Sequence, residues 1–303
     1  MRYVFLFNPV AGKQNAFETY SNKIKAYMAE KGLSYQLYQT EYPGHARELS
    51  ERAAQREGPV RIYGFGGDGT LCEIANGAMG FENAEIGIFP CGSGNDYIRT
   101  FGEAGDFLSI DRQLNGRSRV VDMIKTEKML SLNLCSMGLD AAVAMNMVKY
   151  KKLPLVTGSM AYDMALIKCL LGKLYNHLTV TIDDGEPITG DFIFALAGSG
   201  QYYGGGYRGA PQADPGDGLL DFVMIRNVRR TRLPGMLPVY KSGGHLQSEK
   251  FKDILFFAQG KKMKIHADTP AVVNFDGECQ KLCDISFEVI PKAVRFIVPD
   301  VSR

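Results

Sequence analysis

The first 120 residues alternate short apolar runs with segments whose apolar side chains recur at helical spacing. Residues 3–7, 35–38, 60–63 and 86–89 read as strands, and residues 15–31, 46–56, a segment from residue 70 and one near residue 97 read as helices. Strands that alternate with helices in this way predict a parallel sheet with helices on both faces.

The pattern changes after about residue 120. Apolar or β-rich runs follow at 119–124, 130–136, 178–183, 191–197, 219–225, 253–258, 262–267, 271–276, 285–290 and 294–298. Turn signals such as Asp183-Asp184-Gly185 and Asp276-Gly277 separate many of them, which predicts an antiparallel β domain. Helices are predicted at 140–150 and 158–172, the second as part of the core. With no linker between the two regions, we expect the domains to pack directly and leave a cleft.

Composition excludes several classes of protein. The chain has 303 residues, 45% hydrophobic and 22% charged, which is ordinary globular usage. A net charge of +2 gives no reason to expect a nucleic-acid partner. The six cysteines form no Cys-x-x-Cys pair and the four histidines are scattered, so a zinc site is not expected. We expect a cytoplasmic protein, because unpaired cysteines fit a reducing compartment and no run reads as a membrane span.

The most specific motif is Gly64-Phe65-Gly66-Gly67-Asp68-Gly69-Thr70, at the junction of a strand and a helix. Glycines there let backbone N–H groups approach a phosphate, and the helix N-terminus adds partial positive charge. The motif lacks the Gly-Lys-Ser/Thr ending of a P-loop. A carboxylate in a phosphate-binding loop repels the ligand unless a cation intervenes, so Asp68 indicates Mg²⁺. Thr70 and Glu73 also match a capping box.

Two further loops follow strands of the same predicted sheet. Pro90-Cys91-Gly92-Ser93-Gly94-Asn95-Asp96 repeats the combination of glycines, a hydroxyl and a carboxylate, although it would also serve as an N-cap. Asn8-Pro9-Val10-Ala11-Gly12-Lys13 is either a ligand contact or a simple turn, and Thr40 closes another strand. Because the carboxyl ends of parallel strands share one edge, we expect these loops to border one crevice.

Isolated carboxylates form the next group of candidates. Asp122 lies within a strand-like run, where propensity disfavours it. Asp276-Gly277-Glu278 reads first as a hairpin turn, and its functional interpretation makes Glu278 or Asp276 a general base. Asp214 and Asp217 stand among glycines and fit either a small cation site or a solvated turn.

Residues 226–252 hold seven Lys and Arg against one Glu, a net +6. Apolar residues are interleaved with these cations. The segment fits an anionic membrane surface as well as a solvated basic helix.

Taken in order, these motifs resemble the diacylglycerol kinase catalytic family, in particular its soluble bacterial lipid kinases. The resemblance rests on Asn8-Pro9, the Gly66–Thr70 and Gly92–Asp96 loops, Asp122, Asp217-Gly218-Leu219 and Asp276-Gly277-Glu278. It implies an α/β fold with two domains. These are a doubly wound α/β ATP-binding domain over 1–122 plus 290–303 and a β-sandwich-like antiparallel lipid-substrate domain over 123–289.

The resemblance also implies an ATP- and Mg²⁺-dependent lipid kinase that phosphorylates diacylglycerol or a related lipid. Glu278, aided by Asp276, would be the general base, and Asp68, Asp96 and Asp122 would surround the catalytic Mg²⁺. A structural Mg²⁺ would bind Asp214, Asp217 and the carbonyl of Leu219. ATP contacts would come from Asn8, Pro9, Val10, Ala11, Gly12, Thr40, Gly66, Gly67, Asp68, Gly69, Thr70, Leu71, Cys72, Glu73, Ser93 and Asn95.

Two positions depart from the family pattern. Ser93 replaces the usual Thr and keeps its hydroxyl, and Cys72 replaces a frequent Asn, which puts one polar contact to the nucleotide in doubt. Two other functions stay open: a kinase for NAD or another soluble metabolite, and a non-catalytic nucleotide- or lipid-binding regulator. The expected partners are a lipid substrate and, transiently, the inner membrane face. A homodimer is open.

Overall fold

A computed structural model describes residues 1–12, 15–150, 153, 156 and 158–302. The chain divides into two compact units, Met1–Asp122 with Lys292–Arg303 and Met123–Pro291. The chain passes between the units within the strands β5 (Arg117–Lys125) and β13 (Glu278–Val298). Lys13, part of the first predicted loop, lies outside the described residues.

The first unit is built on parallel strands with helices between them. Its elements are β1 (Arg2–Phe7), α1 (Ala16–Glu30), β2 (Tyr35–Gln39), α2 (His45–Gln55), β3 (Val60–Gly66), α3 (Asp68–Ala78), β4 (Ala84–Pro90), a 3-10 helix (Tyr97–Thr100), α4 (Ala104–Phe107) and α5 (Ile110–Leu114). The strand order is β2-β1-β3-β4, and the end of β13 joins it beside β4, parallel, with Arg295 opposite Glu85. The predicted α/β sheet is confirmed, and the run at 294–298, assigned with residues 290–303 to the ATP-binding domain, is part of it.

Aromatic side chains fill the space beneath this sheet. Phe65 stacks on Phe7 and Phe89 with ring centroids 4.3 Å apart in each case, and Phe5 stacks on Tyr63 at 5.5 Å. All five rings are buried. Three neighbouring strands are thereby locked side by side, which fixes the relative positions of their carboxyl ends.

The second unit is antiparallel. Its elements are β6 (Leu130–Ser131), β7 (Leu134–Gly138), α6 (Leu139–Tyr150), α7 (Gly158–Leu171), β8 (Asn176–Ile182), β9 (Ile188–Gly198), β10 (Leu220–Arg226), α8 (Leu233–Lys241), β11 (Leu255–Gly260), β12 (Lys262–Phe275) and most of β13. The strands follow the order β11-β10-β9-β7-β12-β13, with β8 bonded to β9 and β12. The predicted antiparallel domain is confirmed.

Several predicted boundaries were wrong. The runs at 262–267 and 271–276 form one strand, β12, whose register shifts between His266 and Ala271. The runs at 285–290 and 294–298 likewise form part of the single strand β13. The helix predicted near residue 97 is a 3-10 helix of 4 residues. Helix α8 lies within the segment 226–252, for which a solvated basic helix was one interpretation, but its bounds were not predicted. Pro234 occupies its first turn, where no N–H is needed.

Helix α7 is not the core helix that its apolar sequence suggested. Ala161, Ala165 and Cys169 face inward and are buried. Met160, Met164, Ile167 and Leu171 are exposed, Leu171 by 74%, and their spacing places them on one face. No helix among the described residues is both long and apolar enough to cross a membrane.

Candidate active site

Asn8 joins the loop after β1 to the start of α3. Its amide Nδ2 donates a hydrogen bond to Thr70 Oγ1 at 2.9 Å, and its Oδ1 accepts one from the N–H of Val10 at 3.1 Å. Pro9 and Val10 are exposed beyond it. One side chain therefore sets both the shape of the first predicted loop and its position against the second.

Glycines let three loops pack backbone against backbone at the carboxyl ends of β1, β3 and β4. A Cβ on Gly92 would lie 2.5 Å from the Cα of Gly67, and one on Gly12 would lie 2.3 Å from the carbonyl oxygen of Cys91. A Cβ on Gly66 would lie 2.2 Å from Thr70 Oγ1. No side chain fits at these distances, so the glycines are required by packing within the unit as well as suited to a phosphate.

The predicted capping box of Thr70 and Glu73 was wrong. Helix α3 begins at Asp68 with Gly67 as its N-cap, which leaves Thr70 inside the first turn and bonded to Asn8. Glu73 accepts hydrogen bonds from the backbone N–H groups of Gly44 and Ala46 at 3.0 and 3.2 Å. Its carboxylate therefore satisfies the N-terminus of α2, a role that spacing along one helix could not reveal.

Asp68 holds the loop after β4. Its two carboxylate oxygens accept from the N–H groups of Asp96 and Tyr97, at 3.1 Å each. A Cβ on Gly94 would lie 3.1 Å from Asp68 Oδ2 and 3.3 Å from Asp96 Oδ2. The carboxylates of Asp68 and Asp96 thus face the same small space beside Gly94.

The third carboxylate of the predicted network is held separately. Asp122 is fully buried and accepts from the backbone N–H of Lys292 at 2.7 Å, which ties β5 to the returning segment. Asp96 is paired with the guanidinium of Arg99 at 3.3 Å. Among the described residues, no three Asp, Glu, His or Cys side chains are grouped closely enough to bind a metal by themselves. The joint site of Asp68, Asp96 and Asp122 stays a prediction.

The remaining residues predicted to contact ATP differ in their burial and in the hydrogen bonds that they already make. Thr40 is buried, and its N–H donates to the carbonyl of Phe7 at 2.8 Å. Leu71 belongs to the core, and its backbone N–H donates to the carbonyl of Gly67 at 3.1 Å. Cys72 packs within α3, where its carbonyl accepts from Asn76. Ser93 is exposed, and Asn95 folds back on Gly92 through two hydrogen bonds.

In the second unit, the hairpin between β12 and β13 carries Glu278. Phe275 pairs with Glu278 across a two-residue turn, Asp276-Gly277, in which both residues have positive φ, as the sequence predicted. The carboxylate of Asp276 accepts three backbone hydrogen bonds, from Leu132, Asn133 and Leu134, at 2.6 to 3.1 Å. Asp276 is therefore occupied in fixing the turn, whereas Glu278 is exposed.

Asp214 and Asp217 form two successive local turns. Asp214 Oδ1 accepts from the N–H of Gly216 at 3.0 Å, and Asp217 Oδ1 accepts from that of Leu219 at 2.9 Å. Both acids are exposed. These bonds account for the loop as a solvated turn, and the structural Mg²⁺ stays a prediction.

The basic segment 226–252 has its apolar side chains turned inward. Leu233, Met236 and Tyr240 of α8 are buried in the core of the second unit. Arg226 lies over the rings of Phe192 and Phe256, with its guanidinium carbon 5.8 and 5.0 Å from their centroids. The basic segment therefore lacks the exposed apolar face that the membrane-binding interpretation expected.

An exposed apolar face with nearby cations occurs instead at α7. Lys168 and Lys173 are exposed beside the stripe of Met160, Met164, Ile167 and Leu171. Arg230 donates a hydrogen bond to the carbonyl of Gly172, just beyond the end of the helix. Lys173, Arg229 and Arg230 line one pocket at this end of the stripe.

Asp140, the second residue of α6, was not among the predicted site residues. Burial raises its pKa to about 6, and both carboxylate oxygens are shielded from water. An acid in the first turn of a helix is common, so the pattern alone gave no reason to single it out.

Comparison with known proteins agrees with this architecture. The model of the diacylglycerol kinase catalytic domain matches residues 2–126, and the model of the YegS C-terminal NAD kinase beta sandwich-like domain matches residues 133–298. Together they account for both structural units.

Similar proteins include the diacylglycerol kinase of Staphylococcus carnosus, 27% identical over 90% of this chain and 87% of that protein. The diacylglycerol kinase of Bacillus subtilis is 22% identical over 97% of this chain and 95% of its own. The crystal structure of a diacylglycerol kinase from Bacillus anthracis has a TM-score of 0.70 at 17% identity and covers 99% of this chain and 97% of its own. The crystal structure shows the same fold, and the two domain models together establish that the chain belongs to the diacylglycerol kinase catalytic family.

Proposed function

We propose that this kinase transfers the γ-phosphate of ATP to the hydroxyl group of a lipid. The observation that supports this most is the meeting of the three glycine-containing loops at the carboxyl ends of β1, β3 and β4, with α3 starting there. Backbone N–H groups and a helix N-terminus are suited to a polyphosphate. Diacylglycerol is the acceptor named for the relatives, and it is the first one to test.

Mg²⁺ fits the donors present in the first unit. Asp68 and Asp96 direct oxygen atoms to one space, and Mg²⁺ is usually bound by one or two carboxylates together with substrate phosphates and water. We propose these two residues as its protein ligands, with Asp122 acting through water. When bound, the ion would neutralise charge on the phosphate oxygens.

In the proposed step, the lipid hydroxyl oxygen attacks the γ-phosphorus of ATP. A new O–P bond forms, the bond from the γ-phosphorus to the β,γ-bridging oxygen breaks, and its electron pair leaves with ADP. The hydroxyl proton passes to the carboxylate of Glu278. General-base assistance of this kind is worth roughly 10²–10⁴-fold in rate.

Asp276 has a positioning role in this proposal. Its three backbone hydrogen bonds fix the turn that carries Glu278, so its own oxygens are poorly placed to take a proton. The left-handed backbone at Asp276 (φ 48°) and Gly277 (φ 104°) directs the following residue to its place in β13.

We further propose that the protein works in the cytoplasm and meets its lipid at an anionic membrane surface through α7. The exposed stripe of Met160, Met164, Ile167 and Leu171 supports this, together with Lys168 and Lys173 nearby. Apolar side chains beside lysines are typical of helices that lie in the interface of an anionic bilayer.

Glu278→Gln tests the proposed chemistry, because it keeps the shape of the side chain and removes its basicity. We expect phosphate transfer to lipid to fall at least 100-fold, with circular dichroism and the unfolding midpoint unchanged. Glu186→Gln, at another exposed glutamate of the second unit, is the matched control and should keep full activity. Full activity of the folded Glu278→Gln variant would refute the assignment of the base.

A further inference from the structure

An apolar cavity of about 70 Å³ in the second unit has a carboxylate in its wall. Helices α6, α7 and α8 and strands β9 and β10 line it on its inner side with side chains such as Leu166, Phe194, Ile225 and Met236. Asp140 lines the same cavity. Neither carboxylate oxygen forms a hydrogen bond of normal geometry with a described residue, although the Ser136 hydroxyl and the backbone N–H groups of Asp140 and Ala141 lie close enough to lower its pKa in part.

A buried carboxylate without a partner is unfavourable, which indicates that something is missing from its surroundings. Its pKa of about 6 leaves it largely ionised at neutral pH, when it accepts hydrogen bonds and donates none. The missing group is therefore a hydrogen-bond donor. Two tyrosines stand in the same wall, with the hydroxyls of Tyr203 and Tyr240 bonded to each other at 2.9 Å.

The start of α6, which carries Asp140, also contacts the hairpin of the proposed base. Cys279, next to Glu278, donates through Sγ to the carbonyl of Ala141, next to Asp140, at 3.7 Å. Burial and the negative charges of Asp140 and Glu278 together raise the pKa of Cys279 to about 12. The charges of Asp140 and Glu278 thus both act on one thiol, which places the two carboxylates in the same region of the second unit.

The volume restricts the ligand further. A cavity of ~150 Å³ accommodates a benzene molecule, so this one holds a short stretch of a single hydrocarbon chain. Diacylglycerol, moreover, has one hydroxyl, which is the group to be phosphorylated, and so it has no second donor to offer Asp140.

We propose that the acceptor is a single-chain lipid alcohol with a second hydrogen-bond donor, of the monoacylglycerol type, and that Asp140 selects it. The chain enters the apolar cavity, the second hydroxyl donates to Asp140, and the reacting hydroxyl is left for Glu278. This inference rests on the proposed lipid kinase function and narrows its substrate class. Asp140 is a specificity residue and takes no part in the transfer of the proton.

The test compares two lipids that differ in one hydroxyl. The first is 1-oleoylglycerol, and the second is the oleoyl monoester of propane-1,3-diol, which keeps the terminal hydroxyl and lacks the one at C2. A hydrogen bond to a charged group changes a binding equilibrium by roughly 10- to 100-fold. We expect the wild-type enzyme to favour 1-oleoylglycerol by that factor in kcat/KM, and to use dioleoylglycerol less well than 1-oleoylglycerol.

Asp140→Leu, of similar size and without polar atoms, should bring the ratio close to one by slowing 1-oleoylglycerol alone. Asp140→Asn, a smaller change, should give an intermediate ratio and serves if the leucine variant does not fold. Asp221→Asn is the control, because Asp221 is also buried, with a pKa raised to about 6 by burial, and does not line the cavity. It should keep the wild-type ratio.

A wild-type ratio near one, or an unchanged ratio in the folded Asp140 variants, would overturn the substrate proposal. That result would leave the lipid kinase function intact as long as Glu278→Gln abolished transfer to either lipid. Absence of transfer to every lipid by the wild-type enzyme would overturn the proposed function and this inference with it.

Discussion

The side-chain amide of Asn8 donates a hydrogen bond to the hydroxyl of Thr70, and this bond of 2.9 Å ties the end of β1 to the first turn of α3. Both groups stand at the edge of the sheet where ATP is proposed to bind. Asn8→Ala and Thr70→Val should each raise the KM for ATP roughly 10-fold, because a hydrogen bond of this kind is worth about 1 kcal/mol and its loss also loosens the loop.

The Asn8–Thr70 prediction is checked by steady-state kinetics at saturating lipid. Since the two residues act through one bond, the double variant should lose little more than either single variant. Additive losses in the double variant would contradict the coupling.

Gly92 is predicted to tolerate no side chain. In Gly92→Ala the new methyl group would lie 2.5 Å from the Cα of Gly67, and backbone atoms cannot give way as a flexible side chain can. We expect kcat/KM for ATP to fall at least 10-fold. Gly105→Ala is the matched control, because its Cβ meets nothing within 4 Å in the helical segment α4, and it should retain full activity. Equal effects of the two substitutions would contradict the account of the loop.

The sequence predicted the sheet of the first unit well, because each strand is a compact apolar run followed by a glycine-containing loop. It also predicted the Asp276-Gly277 hairpin, because that dipeptide favours a two-residue turn in which both residues have positive φ. Local sequence patterns did not reveal hydrogen bonds between residues that lie far apart in the chain. Glu73 bonds to Gly44 and Ala46, about 30 residues earlier, and no spacing within α3 indicates this.

The interpretation of α7 failed for a different reason. A helix that is apolar on all its faces is usually buried. The sequence does not show, however, whether neighbouring elements cover every face of the helix or only one. Asp140 was overlooked because its significance comes from the cavity around it, which is assembled from five elements far apart in the chain. Burial of a carboxylate is a property of packing and is not visible in the sequence.

His245 is predicted to make stability sensitive to acid. It is fully buried between the rings of Tyr240 and Phe251, and burial lowers its pKa from 6.5 to about 4. The unfolded chain therefore takes up the proton first, so the contribution of His245 is present above pH 6.5 and is lost as the pH falls toward 4. By linkage the loss amounts to about 2 kcal/mol between pH 7 and pH 4.5.

Urea denaturation of the wild-type protein and of His245→Phe at both pH values checks this. Asp140 and Asp221 shift in the opposite sense, because their pKa values are raised and their protonated forms favour folding at low pH. The comparison of the two proteins removes those contributions. The variant should lose about 2 kcal/mol less than the wild type on acidification, and an equal loss would contradict the prediction.

The stripe on α7 is predicted to anchor the protein on anionic membranes. Replacing Ile167 and Leu171 by Glu removes two apolar side chains and adds two negative charges. Each apolar side chain is worth roughly 1.5–3 kcal/mol when fully buried, so binding to phosphatidylglycerol vesicles should fall at least 10-fold in a co-sedimentation assay. Leu108→Glu, at an exposed leucine of the first unit, is the control and should bind normally. Unchanged binding of the double variant would show that α7 is not the contact.

The most direct measurement is the transfer of the labelled γ-phosphate of ATP to acceptors presented side by side. The purified wild-type protein is incubated with Mg²⁺, labelled ATP, lipid alcohols in mixed micelles and NAD, and the products are separated. We expect label in lipid phosphate and none in NADP, with the transfer lost on chelation of Mg²⁺. Label in NADP, or ATP consumption without any lipid phosphate, would contradict it.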